Sequence, residues 1–396
     1  DKIYILNTNG TIDPNFNISG FYSNRTQKNL ELTPDNKVLV FDLVLKRLLS
    51  NGTIDQGFST NFSNRYRIEA SKILANGKIL IAGSFSTPSG EIENKVYRLL
   101  SNGRIDSTFS LSARANGAFR TMTTLANGKI LLSGEFTSYN GVAVNNVVRL
   151  NADGTNDMSF SIAGTFNGAI NSIAELTDGS LLVGGSFNEY NGNPVSGLLK
   201  FDANGTLVSN FNASLKIIIG DFTSIVNDIL VMPNGKIVIG GWFNSVNGIR
   251  ANNIAMINSN GSTDMEFNQF ETLPPSIFKV VKDGNSGNWI VAGSFDTFGG
   301  HKTFGIARVL SNGAVDTTFK HETNHTSSFY SYESLGGLAV DGNGNIHFSA
   351  KGKPYNNLYY AEYLFKYSIS LNPNGSVIEN SFFATSANTL HAPWIN

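Results

Sequence analysis

Ala75-Asn76-Gly77-Lys78-Ile79-Leu80-Ile81-Ala82-Gly83-Ser84-Phe85 and Pro233-Asn234-Gly235-Lys236-Ile237-Val238-Ile239-Gly240-Gly241-Trp242-Phe243 are one phrase written twice: a turn, a Gly-Lys step, an apolar run, then Gly-x-Phe. It alternates with a second phrase, an apolar strand closed by Asn-Gly or Asp-Gly. The glycines of that second phrase are Gly10, Gly52, Gly103, Gly154, Gly205, Gly261, Gly313 and Gly375, at intervals of 42, 51, 51, 51, 56, 52 and 62 residues. In the first seven copies a Phe stands six residues beyond the Gly. A repeat of roughly 50 residues holding two hairpin turns is the length of one four-stranded propeller blade. The expected fold is therefore all-β, a β-propeller.

Residues 118–160 show how one repeat would build a blade. Ala118 to Leu125 mixes apolar residues and Thr at roughly period two, as a half-buried strand does. Asn127-Gly128 predicts a two-residue type I′ hairpin, with positive φ at both central positions. Lys129 to Phe136 is a nearly continuous apolar strand, and its Gly134 lets a neighbouring backbone approach closely. A longer polar loop, 137–145, leads to the third strand, 146–150. Asp153-Gly154 is the second tight turn, and Asp157-Met158-Ser159-Phe160 reads as a short outer strand. The two tight turns then share one end of the blade, and the loops that differ between repeats share the other. In Asp-x-x-Phe the Asp is expected to bond the turn backbone, and the Phe to fill the space between blades.

Both phrases resemble the delta-60 repeat, a family of bacterial propeller repeats, and the likeness covers almost the whole chain. The resemblance implies a secreted or surface-displayed protein, common in Bacteroidetes, with no catalytic residues to carry over. The turn-Lys phrase occurs seven times, near Asp35-Asn36 and at Gly77, Gly128, Gly179, Gly235, Gly287 and Gly344. Seven complete four-stranded blades are expected over residues 17–383, with 1–16 an extra half-repeat hairpin and 384–396 a tail. Eight blades, the last composed of tail and hairpin, is the alternative closure.

Composition narrows the function. A net charge of −1 without a run of like charges offers no basic footprint for nucleic acid. No stretch reaches the roughly 18 apolar residues of a membrane span. The opening Asp1-Lys2-Ile3-Tyr4-Ile5-Leu6 reads as a strand and not as a signal peptide, as expected of a processed or excised chain. Cysteine is absent, which excludes disulfides and thiolate chemistry, and fits an extracellular or bacterial cell-surface protein.

His321-Glu322-Thr323-Asn324-His325 matches the zinc-protease pattern, but it follows an outer strand and lacks helix formers, so no metal is expected there. No cofactor or catalytic group is expected either, since acids on the variable loops are scattered among repeats. Those loops carry aromatic and Arg side chains suited to sugars or extended peptides: Tyr139, Tyr190, Arg250, Phe298, His301, Tyr330 and Tyr355 are the candidate partner-binding residues. The expected function is a binding module, not an enzyme, that recognises a glycan, peptide or protein partner. An accessory subunit of an outer-membrane transport, secretion or adhesion assembly is the alternative, and a carbohydrate-active or other hydrolase the minor one.

Overall fold

The computed structural model describes residues 29–35, 37–41, 45–49, 53–60, 62, 66–110, 114–211, 213–216, 224–267, 276–284, 287–295, 297–302, 305–319, 330–340, 346–354 and 365–371. The expected hairpin at 1–16, the tail at 384–396, Tyr355 and the His321–His325 pair lie outside them. Among the described residues every regular element is a strand and none is a helix, so no helix there is long and apolar enough to cross a membrane.

Among the described residues seven three-stranded antiparallel meanders follow one another in chain order. The third consists of Phe119–Thr124, Ile130–Gly134 and Val147–Leu150. The leading strands of the seven are Asn29–Leu32, Tyr66–Ile73, Phe119–Thr124, Ile170–Glu175, Ile225–Val231, Ser276–Lys282 and Tyr330–Val340. Each lies against the leading strand of the next meander, and that of the seventh lies against that of the first. Buried and half-buried carboxylates reinforce this series. Ile73 N donates to Glu31 (3.1 Å), Phe119 N to Glu69 (2.9 Å) and Val280 N to Asp228 (2.9 Å), each bond joining one leading strand to the next. The apolar core lies between neighbouring sheets: Leu80 and Val96 of the second meander pack with Met122 and Leu132 of the third.

The second strand of most meanders carries a Gly for a steric reason. The leading strand bulges, with register shifts at Ile68/Ala70, Phe119/Thr121, Ile170/Ser172, Val226/Asp228 and Ile277/Lys279. A bulge pushes the partner carbonyl inward, so a Cβ on Gly134 would stand 2.1 Å from Ala118 O. The close approach expected at Gly134 is real.

Two expectations need correction. The tight turns are not type I′. Gly77, Gly128, Gly179 and Gly235 have φ of 76–80°, but the residue before each does not have positive φ. Leu125 N bonds Lys129 O (2.8 Å) and Gly128 N bonds Leu125 O (2.9 Å), which is a three-residue loop: a type I turn completed by a left-handed Gly. Asn127 is there for its side chain, which accepts from Lys129 N (3.0 Å) and so holds the turn. The second correction concerns the outer strand. It is reduced to one bridge per repeat, at Ile54, Ile105, Asn156, Leu207, Thr263 and Val315. The chain leaves the sheet because the next Asp turns it: Asp157 Oδ1 accepts from Ser159 N (3.1 Å), and Phe160 N bonds Asp157 O.

That Asp is the centre of a repeated staple. Asp157 Oδ2 pairs with Arg149 Nε of the third strand (2.5 Å) and with the turn lysine Lys129 (2.7 Å). Asp106 does the same with Arg98 (2.7 Å) and Lys78 (2.8 Å). Burial works against the charge of both carboxylates, but the Lys and hydroxyl bonds, with those from Arg, outweigh it and hold each well below the usual carboxylate range. The guanidinium of each Arg covers the Phe of Asp-x-x-Phe, at 4.8 Å for Arg47–Phe58, 4.9 Å for Arg98–Phe109 and 4.5 Å for Arg149–Phe160. It also reaches forward, to Ser101 O, Ala152 O and Ala203 O of the following meander's turn. The Phe itself lies against the next turn's Gly: a Cβ on Gly154 would stand 2.7 Å from the Phe109 ring.

Candidate functional site

The variable loops are short rigid hairpins. Ser138–Tyr139 pairs with Val142–Ala143, Glu189–Tyr190 with Asn193–Pro194, Ser245–Val246 with Ile249–Arg250, and Thr297–Phe298 with His301–Lys302. Here the type I′ turns occur. Asn140-Gly141 (φ 50° and 76°), Asn191-Gly192 (51° and 74°) and Asn247-Gly248 (53° and 79°) have positive φ at both positions. The loop necks are tied as well: Asn146 N bonds Phe136 O (3.1 Å), and Phe243 N donates to the buried Asn253 side chain (2.7 Å).

This geometry revises the candidate residues. Tyr139 (1% exposed), Tyr190 and Phe298 are buried, as is Val246 at the same place in its hairpin. Each stands just before the turn and alternates inward, pinning the hairpin to the sheets. Tyr139 belongs to the core of the second and third meanders, and Tyr190 packs on Phe166 (5.0 Å) and Phe201 (5.5 Å). Gly164 N donates to the Tyr190 hydroxyl (2.9 Å), and burial pushes the phenols of Tyr139 and Tyr190 up. Three of the expected contact residues are therefore pegs and cannot stack on a ligand.

Arg250 and His301 are exposed at the hairpin ends, with Arg250 Nε bonding Asn252 Oδ1 (3.0 Å). Tyr330 begins the leading strand of the seventh meander, in register with Pro354. Ala143, Asn193, Pro194, Trp242 and the strongly exposed Ile92 are exposed as well. Arg114 ion-pairs with Glu93 (2.5 Å), whose carboxyl is held down first by its Lys95 bond. Among the described residues no group of three or more His, Asp and Glu could hold a metal ion.

Five segments, 74–109, 125–160, 176–211, 233–267 and 285–319, match a domain of unknown function (DUF5122) of β-propeller type. No curated protein matches the chain. Solved structures similar to it include a gluconolactonase from Xanthomonas campestris, 13% identical, with a TM-score of 0.35 over 68% of this chain and 84% of that one. They also include a soluble aldose sugar dehydrogenase from Escherichia coli, 10% identical, with a TM-score of 0.36 over 82% and 92%. YCF48 bound to a D1 peptide is 9% identical, with a TM-score of 0.43 over 83% and 93%. The expectation that the chain is not an enzyme does not survive this company, since the similar propellers include enzymes; at 9–13% identity they assign this chain no reaction. Each of the five matches spans a tight turn and its second strand, four of them also hold the Asp-x-x-Phe, and together they show repeats of β-propeller type over residues 74–319.

Proposed function

We propose that the protein is a seven-bladed ring of the delta-60 kind, displayed at a bacterial cell surface, which binds a protein or peptide partner through its hairpin rim. Closure at seven is supported by the packing of the seventh leading strand on the first. The cell-surface setting rests on the likeness of the two repeat phrases to delta-60 repeats. The observation that carries the binding reading is the contrast within each hairpin: the residue before the turn is a buried peg, while exposed residues that differ between repeats follow it (Ala143, Pro194 and Arg250 second after the turn, Asn193 and His301 first). Rigid arms with unlike ends present a fixed pattern of groups at low ordering cost, as recognition surfaces do. With the tyrosine pegs inward, the rim offers charged and amide groups more than sugar-stacking rings, which favours a polypeptide over a glycan.

The test is a combined Asn193→Ala, Arg250→Ala, His301→Ala variant, used beside the unaltered protein as bait on solubilised surface fractions of the source cells. The variant should unfold at the unaltered temperature and lose the partner that the parent captures. Retention of the partner would overturn the assignment of the rim.

A further inference from the structure

In the fifth meander the staple lacks its cation alone. The third-strand position that carries Arg47, Arg98, Arg149 and Arg308 is Lys200 in the fourth meander and Met256 in the fifth. In the fourth meander the Asp is also gone, replaced by Val208, and Lys200 still reaches the next turn carbonyl, Ser259 O (3.2 Å). In the fifth meander only the cation is gone. Asp264 and Phe267 keep their places, and beside Met256 lies a cleft of about 370 Å³. Its lining includes Asp264, Phe267, Lys236 and Glu266 of the fifth meander, with Ser311 and Asn312 of the following turn.

Three of the lining groups have counterparts that hold a guanidinium elsewhere in the molecule. Asp264 corresponds to Asp157 and Phe267 to Phe160, and Ser311 corresponds to Ser101, Ala152 and Ala203, whose carbonyls accept from the arginines. Asp264 is 8% exposed, and its Oδ2 meets Lys236 Nζ (2.5 Å) as an ion pair without the alignment of a hydrogen bond. Lys236 does not take the place of the missing group, because Lys78 and Lys129 share the same carboxylate oxygen with an Arg in the sister meanders. Phe267 is fixed from the next meander by stacking on Trp289 (5.9 Å). Glu266 adds a second carboxylate at the mouth, its own side chain 90% exposed.

We propose that this cleft receives the side chain of an arginine from a partner polypeptide, which completes in trans the staple that the first, second, third and sixth meanders complete in cis. A planar guanidinium suits the site better than an ammonium, because it can bond the carboxylate edge-on and the turn carbonyl at the same time. The cleft opens at the tight-turn end, away from the hairpin rim, so the proposal does not depend on the rim reading.

Protein labelled at its five methionine methyls reports the site through Met256. Titration with N-acetyl-arginine amide should shift the Met256 methyl with a Kd on the order of 1 mM, as for a single side chain. N-acetyl-lysine amide should bind at least tenfold more weakly. Asp264→Asn should cut the arginine affinity tenfold or more. Met256→Arg fills the cleft from within, so it should abolish binding and raise the unfolding temperature. Arg149→Met, which empties a staple of known geometry, serves as the control and should acquire arginine-amide binding. The proposal is overturned by no Met256 shift where Arg149→Met binds, by equal lysine and arginine affinities, by binding that survives Met256→Arg, or by preference for free arginine over the capped form.

Discussion

Gly128 and Gly154 have nearly the same backbone, with φ of 80° and 86°, in turns of the same type. They differ in what a side chain would meet. A Cβ on Gly128 has only Ala152 Cβ near it, at 4.0 Å, whereas one on Gly154 would stand 2.7 Å from the ring of Phe109 in the preceding meander. Gly128→Ala should therefore cost only left-handed strain, about 1–2 kcal/mol. Gly154→Ala bears the same strain and must also displace a packed ring, adding about 1–3 kcal/mol. Urea unfolding of the two variants isolates the contact between repeats as their difference. A Phe109→Ala background supplies the cycle: it removes the ring, so the added cost of Gly154→Ala should fall to that of Gly128→Ala, and the pair should couple by about 1–3 kcal/mol. Equal costs for the two glycines, or additive effects in the cycle, would show that the ring does not lock onto the next turn.

Asp157→Asn should destabilise by about 3 kcal/mol at pH 7, because it leaves buried Arg149 without its counter-charge. The folded carboxyl is held below its unfolded value, so its contribution is full above pH ~4 and is lost as pH falls through the depressed value; stability curves of parent and variant should converge in acid. Tyr190→Phe removes the acceptor of Gly164 N and should cost about 1–3 kcal/mol in thermal unfolding without altering partner capture. If capture falls with the fold intact, Tyr190 is a contact residue after all. Gly134→Ala forces a Cβ to within 2.1 Å of Ala118 O; the bulge must give, and a loss above the usual ~0.5 kcal/mol surface change is expected in urea unfolding.

The repeat and its turns were legible because glycine positions and apolar periodicity are local quantities. The same locality limited the reading of turn type. Asn127-Gly128 and Asn140-Gly141 are the same dipeptide, and only the pairing of the flanking residues separates a three-residue loop from a type I′ hairpin. Tyr139, Tyr190 and Phe298 were misplaced because a nine-residue polar loop does not look like a sheet. Yet Tyr-Asn-Gly-Val is itself a minimal hairpin, and period-two reasoning applied there would have turned the tyrosine inward. The Met256 cleft was open to inspection in the third strands, as the break in the series Arg47, Arg98, Arg149, Lys200, Met256, Arg308. One repeat by itself does not show it, because the role of that arginine emerges only when neighbouring meanders are set side by side.

The staple gives the array a polarity. Arg47, Arg98 and Arg149, with the wedge rings Phe58, Phe109, Phe160 and Phe267, reach forward from one meander to the turn that follows, and the turn contributes only backbone and a glycine. The two sides of each junction are therefore unequal. Cutting a junction strips a buried charge and an aromatic ring of their cover on the upstream side. The downstream side is left with a turn whose polar groups water can satisfy. Loss of a repeat therefore penalises the neighbour before it far more than the neighbour after it, so growth or shrinkage of such an array by whole repeats is less costly at its leading end.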